Sequence, residues 1–230
     1  MGYNALYQNS GSFSTVLGWG AASQNKGPST IAIGVEAGLF NKVTGNGLIA
    51  IGNNAGQDNS GSNNIAIGTL AGYQPGAGDN NTFIGFRAGL SNIGASNIYV
   101  GYSTGETARG SSNVVIGSTY NPTSGSSNTQ VGYGSGPTRG DNNIILGSGT
   151  LVNANCNKVI AMGNNAGSNT AAPNTGNTQN NRFIINNDYL PSFADSASAS
   201  SSISTGNGAI AGNTYLYYDQ LTESVRAIRL

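Results

Sequence analysis

The sequence has no histidine, one cysteine and little charge, with nine Lys and Arg against nine Asp and Glu, 8% of residues in all. The missing histidine removes the commonest general base and the commonest metal ligand. Cys156 has no imidazole to activate it and no second cysteine to bridge. It reads as a small buried or loop residue and not as a nucleophile. A formal net charge of zero gives no electrostatic case for nucleic acid or an anionic membrane. No apolar run reaches the length of a membrane span. The first residues, Met1-Gly2-Tyr3-Asn4-Ala5, lack the basic and apolar regions of a signal peptide. Leu6 stands where a myristoylation motif wants Ser or Thr. The expectation is a chain that is neither exported by that route nor inserted in a membrane.

What is abundant is glycine, 36 of 230 residues, roughly twice the usual share. Low charge with high glycine can signal disorder. Here the aliphatic residues recur at fixed spacing, which argues for a folded repeat. The clearest unit is Asn64-Ile65-Ala66-Ile67-Gly68-Thr69-Leu70-Ala71-Gly72, or Asn-aliphatic-Ala-aliphatic-Gly-x-x-Ala-Gly. Close copies occupy residues 31–38, 48–56, 81–89 and 159–167. Aligned on the glycine after the second aliphatic residue, the anchors are Gly18, Gly34, Gly52, Gly68, Gly85, Gly101, Gly117, Gly132, Gly147 and Gly163. Successive anchors lie 15 to 18 residues apart. Such a period over ten copies marks a solenoid.

The columns of this alignment define the expected coil. One residue before the anchor stand Leu17, Ile33, Ile51, Ile67, Ile84, Val100, Ile116, Val131, Leu146 and Met162. Three before it every residue is β-branched, from Thr15 and Ile31 to Ile144 and Ile160. Spacing of two puts both columns on one strand face, which is taken as the interior. Between them run Val16, Ala32, Ala50, Ala66, Phe83, Tyr99, Val115, Gln130, Ile145 and Ala161, apolar or aromatic in nine of ten. A strand with one wet face should be polar there. The expectation is that this middle column, with Ala50, Ala66, Phe83, Tyr99, Val115 and Ile145, meets another subunit. Small residues three after the anchor, such as Ala55 and Ala71, suggest a second short strand or turn packed against the first layer. Four before it, Asn64, Asn81, Asn97, Asn113, Asn128 and Asn143 suggest hydrogen bonding from rung to rung. The fold class is therefore all-β, a flattened parallel β-solenoid of about ten rungs over residues 14–167.

Outside the repeat, residues 1–13 read as an N-terminal cap or attachment segment. Residues 168–187 read as a polar insertion and a degenerate last rung. Residues 188–230 read as a Ser- and Ala-rich loop and a C-terminal β-hairpin cap.

No catalytic, cofactor or metal site is expected, and the chain does not read as an enzyme. Asp58 and Glu106 occupy similar turns three rungs apart, too distant for a glycosidase pair. Arg139-Gly140-Asp141 spells an integrin-binding tripeptide, but the loop Glu106–Asn113 has the same form, so turn chemistry explains it. Trp19, Phe86, Tyr102 and Tyr133 directly follow anchors in one column. They are candidates for stacking on sugar rings, with packing between subunits as the competing explanation.

The repeat unit resembles two related groups, over about residues 14–167. One is the head of trimeric autotransporter adhesins, a trimeric left-handed β-roll with a similar Asn-x-Val-Ala-Ile-Gly unit. The other is the set of repeats in bacteriophage fibre and other virion appendage proteins. A period near 16 and the absence of an export signal, coiled-coil stalk and membrane barrel set it apart from the adhesins. The resemblance implies a homotrimeric virion protein, a fibre, spike or capsid decoration, assembled in the host cytoplasm. Its partners would be itself, other virion proteins and a host cell-surface glycan. The alternatives are an adhesin head at a bacterial cell surface and a polysaccharide-degrading tailspike.

Overall fold

The computed structural model describes residues 2–40, 46–73, 76, 78–118, 125–135, 140–150, 155–166, 178–185, 214–219 and 224–229. Gly167, Tyr120, Arg139 and the Ser- and Ala-rich loop at 192–206 lie outside them. The described residues contain no helix. They fall into two units, Met1–Asn186 and Asn187–Leu230.

The first unit is a parallel β-solenoid. Eleven strands stand in chain order in one sheet: β1 (Thr15–Leu17), β2 (Ile31–Ile33), β3 (Ile49–Ile51), β4 (Ile65–Ile67), β5 (Thr82–Ile84), β6 (Ile98–Val100), β7 (Val114–Ser118), β8 (Thr129–Tyr133), β9 (Ile144–Leu146), β10 (Asn155–Met162) and β11 (Thr178–Ile185). Each pairs in parallel with the next, and the register keeps every repeat column aligned, as in Ala50↔Ala66 and Phe83↔Tyr99. In the second unit β12 (Thr214–Asp219) and β13 (Ser224–Arg229) pair antiparallel.

The layer facing the strands is a run of tight turns. In the coil of Gly52, the N–H groups of Ala55, Gln57 and Asn59 donate to the carbonyls of Gly52, Asn54 and Gly56. Every second residue there has positive φ: Asn54 at 55°, Gly56 at 58° and Asp58 at 57°. The turns bond between coils in both directions. Asn54 N–H donates to the Val35 carbonyl of the coil before, and Gly56 N–H to the Ala71 carbonyl of the coil after. This ladder holds non-glycine residues such as Glu36, Leu70 and Arg87 in the left-handed region, which costs each roughly 1 kcal/mol or more.

The expected strand faces are exchanged. The middle column is the interior: Ala32, Ala50, Ala66, Tyr99, Ile145 and Ala161 are fully buried, and Phe83 and Val115 nearly so. Ile33, Ile51, Ile67, Val100 and Leu146 point outward and are half-buried. Ile84, Ile116, Val131 and Met162, from the same column, are exposed. The reason is the narrow gap between strand and turns. A Cβ on Gly56 would lie 3.2 Å from the Ala50 Cβ, and one on Gly89 would lie 2.3 Å from the Phe83 ring. Gly38, Gly56 and Gly72 face Ala32, Ala50 and Ala66, and Gly89 and Gly105 face the rings of Phe83 and Tyr99, so no side chain fits on the turn side at these positions. Phe83 and Tyr99 stack inside the coil at 5.9 Å. They do not reach another subunit.

Residues 2–13 continue the turn layer as the turn half of a further coil. Gly2 lies over Gly18 as anchors do, Leu6 N–H donates to the Ala21 carbonyl, and Gln24 N–H to the Tyr7 carbonyl.

The anchor glycines set the coil spacing. Their φ values run from 110° to 151°. For Gly18 through Gly147, a Cβ would fall between 1.5 and 2.6 Å from the carbonyl oxygen of the next anchor. Gly134 is also left-handed, with φ of 57°, but a Cβ there meets nothing within 4 Å. Gly101→Ala, whose Cβ would sit 1.5 Å from the Gly117 oxygen, should lose at least about 3 kcal/mol or fail to fold. Gly134→Ala should lose only about 1 kcal/mol. Urea denaturation of both variants checks this, and equal losses would contradict it.

Candidate functional site

Three features of the coil are candidates for function: a buried asparagine ladder, an outward apolar strip and a column of exposed rings.

The ladder follows from strand parity. Asn64 lies two residues before Ala66, so it shares the inward face. Its Oδ1 accepts the backbone N–H of Asn81 at 2.7 Å. The same bond repeats from Asn97 to Asn81, Asn113 to Asn97, Asn128 to Asn113 and Asn143 to Asn128, at 2.9 to 3.0 Å. Val159 N–H ends the run on Asn143 Oδ1. The Nδ2 groups of Asn64, Asn81, Asn97, Asn113 and Asn128 donate to loop carbonyls of the next coil, at Gly78, Gly94, Gly110, Gly125 and Gly140. All six asparagines are buried. Their rung-to-rung bonding was legible in the sequence, and their role is structural. Leu48 replaces asparagine in the coil of Gly52, where its methyl groups approach Gly38 and Gly56.

The interior also holds polar groups outside this ladder. Gln130 is fully buried with both amide atoms unpartnered, and Asn92 is unpartnered likewise. The Tyr99 hydroxyl makes no well-formed hydrogen bond. Burial pushes its pKa up from 10.0 to about 12, a rise opposed by the amides of Asn113 and Asn92 beside it.

The described carboxylates serve the coils. Asp79 accepts the N–H of Ser62, and Asp141 that of Ser126. Glu36 accepts from Asn54, and Glu106 pairs with Arg87 across adjacent coils. Gly140 and Asp141 of the Arg-Gly-Asp tripeptide are both bonded into neighbouring coils. Among the described residues no His, Cys, Asp and Glu cluster could hold a metal ion.

The outward strip consists of the two columns that flank the buried one. Ile31, Ile84, Ile98, Ile116, Val131, Ile144, Ile160 and Met162 are each 37 to 44% exposed. Thr15, Thr82 and Thr129 interrupt an otherwise apolar surface. It runs along the sheet, roughly 45 Å long and about 10 Å wide at one coil per 4.8 Å. Continuous apolar surface on this scale marks an association site. The middle column, expected on an outer face, is the buried one, and the flanking columns form the outer face.

All four expected aromatics are exposed: Trp19 at 47%, Phe86 at 42%, Tyr102 at 55% and Tyr133 at 63%. Phe86 and Tyr102 stack along the coil axis at 5.4 Å with rings 15° apart. Trp19 stands apart, three residues of other types separating it from Phe86 in the column. Comparison with protein-family models, curated proteins and solved structures gives no match for this chain.

The Tyr99 environment has a pH consequence. Its proton is held more tightly in the folded chain than in the unfolded one, so this stabilisation is complete below pH 10 and is lost as pH rises from 10 to 12. The wild type should lose about 2 kcal/mol more than Tyr99→Phe over that interval. Denaturant titrations at pH 9, 10, 11 and 12 measure it, and parallel losses in the two proteins would contradict the assignment.

Proposed function

We propose that this chain is a non-enzymatic structural protein of a bacteriophage virion: a homotrimeric fibre, spike or capsid-decorating appendage that contacts the host surface. The observation that carries the reading is the outward apolar strip. A coil whose own core is a thin line of alanines leaves its largest aliphatic side chains in water, and a symmetric oligomer covers them with the least new surface chemistry. Three strips facing a common axis would bury all of them. Obligate interfaces are the most hydrophobic class, and a rod stabilised along its whole length suits an appendage that works outside a cell. The virion assignment is supported by the resemblance of the repeat to phage fibre repeats.

Light scattering coupled to size-exclusion chromatography tests the assembly. The wild type should elute as a trimer. Ile67→Lys combined with Ile116→Lys should elute as a monomer with an unchanged β-type circular dichroism spectrum, because both side chains point away from the coil. A monomeric wild type would overturn the assembly. Immunogold labelling of purified phage particles tests the location. Labelled particles are the expected result, and labelling confined to the bacterial cell surface would contradict it.

A further inference from the structure

The outer strip carries a polar pattern of its own. Both of its columns are free of charge and of amides over all ten coils, from Thr15 and Leu17 to Ile160 and Met162. The column next to the anchors is apolar throughout. The other is isoleucine or valine at seven positions and threonine at three, Thr15, Thr82 and Thr129. These threonines lie on β1, β5 and β8, four strands and then three strands apart in the sheet. Thr82 pairs in register with Ile65 and Ile98, and Thr129 with Val114 and Ile144. Their outward direction follows from parity, because the next residues, Phe83 and Gln130, are buried inside the coil.

The strands do not need these hydroxyls. Isoleucine suits a strand as threonine does. Where threonine serves the coil its hydroxyl is used inside: Thr30 donates to the Gly27 carbonyl and Thr104 to the Gly117 carbonyl. On the outer face a hydroxyl covered by an aliphatic side chain loses its water and gains no partner. Covered by another threonine, it both donates and accepts. A polar residue in an otherwise apolar seam fixes alignment in this way, as asparagine does in coiled coils. The uneven spacing gives the pattern a direction. Parallel and level, two strips pair all three threonines and cover all ten coils. Reversed at full overlap, Thr15, Thr82 and Thr129 face Ile160, Ile98 and Ile49. Reversed and slipped by two coils, Thr82 meets Thr129, but two coils of each strip stay uncovered. A surface without charge or amides offers a foreign polar partner little to recognise, whereas a second copy presents the same hydroxyls at the same heights.

We propose that Thr15, Thr82 and Thr129 set the polarity and register in which copies of this chain associate: parallel and level, hydroxyl against hydroxyl. That copies associate at all rests on the assembly reading above; the register rests on the spacing of the threonines.

Distances between nitroxide labels, measured by electron paramagnetic resonance on the full chain, test it. Cys156→Ser removes the native thiol. Val35→Cys and Thr69→Cys, in separate proteins, each add one at an exposed position off the strip. In a parallel, level assembly like labels lie at one height, so the two proteins should give the same distance between subunits. In a reversed, fully overlapped pair the Val35 labels lie seven coils apart along the axis, about 34 Å, and the Thr69 labels three coils, about 14 Å. Replacing all three threonines by valine, which keeps the shape and the strand preference, should leave the protein assembled while a second, longer distance appears at Val35. The proposal is overturned if the parent protein gives a longer distance at Val35 than at Thr69. It is overturned equally if the valine variant keeps the parent's single distance, as a role of the hydroxyls in solubility alone would predict. If the valine variant does not fold, the comparison of Val35 with Thr69 in the parent decides alone. Light scattering on the same samples separates the two readings. A monomer removes the assembly and the register with it, whereas an assembly whose alignment ignores the threonines removes the register alone.

Discussion

Each coil of this protein is fixed to the next at a distance that only glycine permits, and from the coil of Gly68 to that of Gly147 a buried asparagine closes the contact. The anchor carbonyl of one coil occupies the space where a side chain of its neighbour's anchor would be. At the other end of the strand, Asn64, Asn81, Asn97, Asn113 and Asn128 each accept a backbone N–H from the following coil and donate to one of its loop carbonyls. A buried amide left without these partners would cost about 1 to 3 kcal/mol. The geometry is thus set by what cannot be inserted as much as by what attracts. It also fits a core rich in alanine: a Cβ on Gly56 would crowd Ala50 and one on Gly89 would clash with the Phe83 ring.

This constraint turns the hydrophobic surface outward. In most proteins the largest aliphatic residues define the interior. Here the interior is filled largely by alanine, with two rings and a few larger side chains such as Leu48, Val115 and Ile145, while most isoleucines of the strands line the outside of the sheet. The stability of a single coil stack then comes chiefly from backbone ladders, repeated in the strand layer and the turn layer. The outer strip, carried by alternate residues of the same strands, is left partly exposed.

Much of this was legible in the sequence. The period, the all-β class and the asparagine ladder follow from column identities alone. The exchange of faces was legible too, through parity: Asn64 and Ala66 are two residues apart, so a buried asparagine requires a buried alanine. Size misled, because Ile65 and Ile67 fill an interior better than Ala66 unless the opposite layer is known to be close. The first half-coil left a signal in Gly2, 16 residues before Gly18, and in Asn9-x-Gly11, which repeats as Asn25-x-Gly27. The left-handed turn positions left less. Glu36, Leu70 and Arg87 have no preference for positive φ, and the ladder between coils imposes it on them. The Phe86–Tyr102 stack depends on register across a repeat of variable length, which only the paired strands supply.

The central claim is that buried asparagine amides lock coil to coil. Amide hydrogen exchange measured by NMR tests it most directly. The backbone N–H groups of Asn81, Asn97, Asn113, Asn128 and Asn143 each donate to a buried Oδ1. They should exchange only through global unfolding, as slowly as the N–H groups of the adjoining strands and with the same denaturant dependence. Exchange of these five amides at the rate of exposed loops, in a protein whose strands remain protected, would contradict the account.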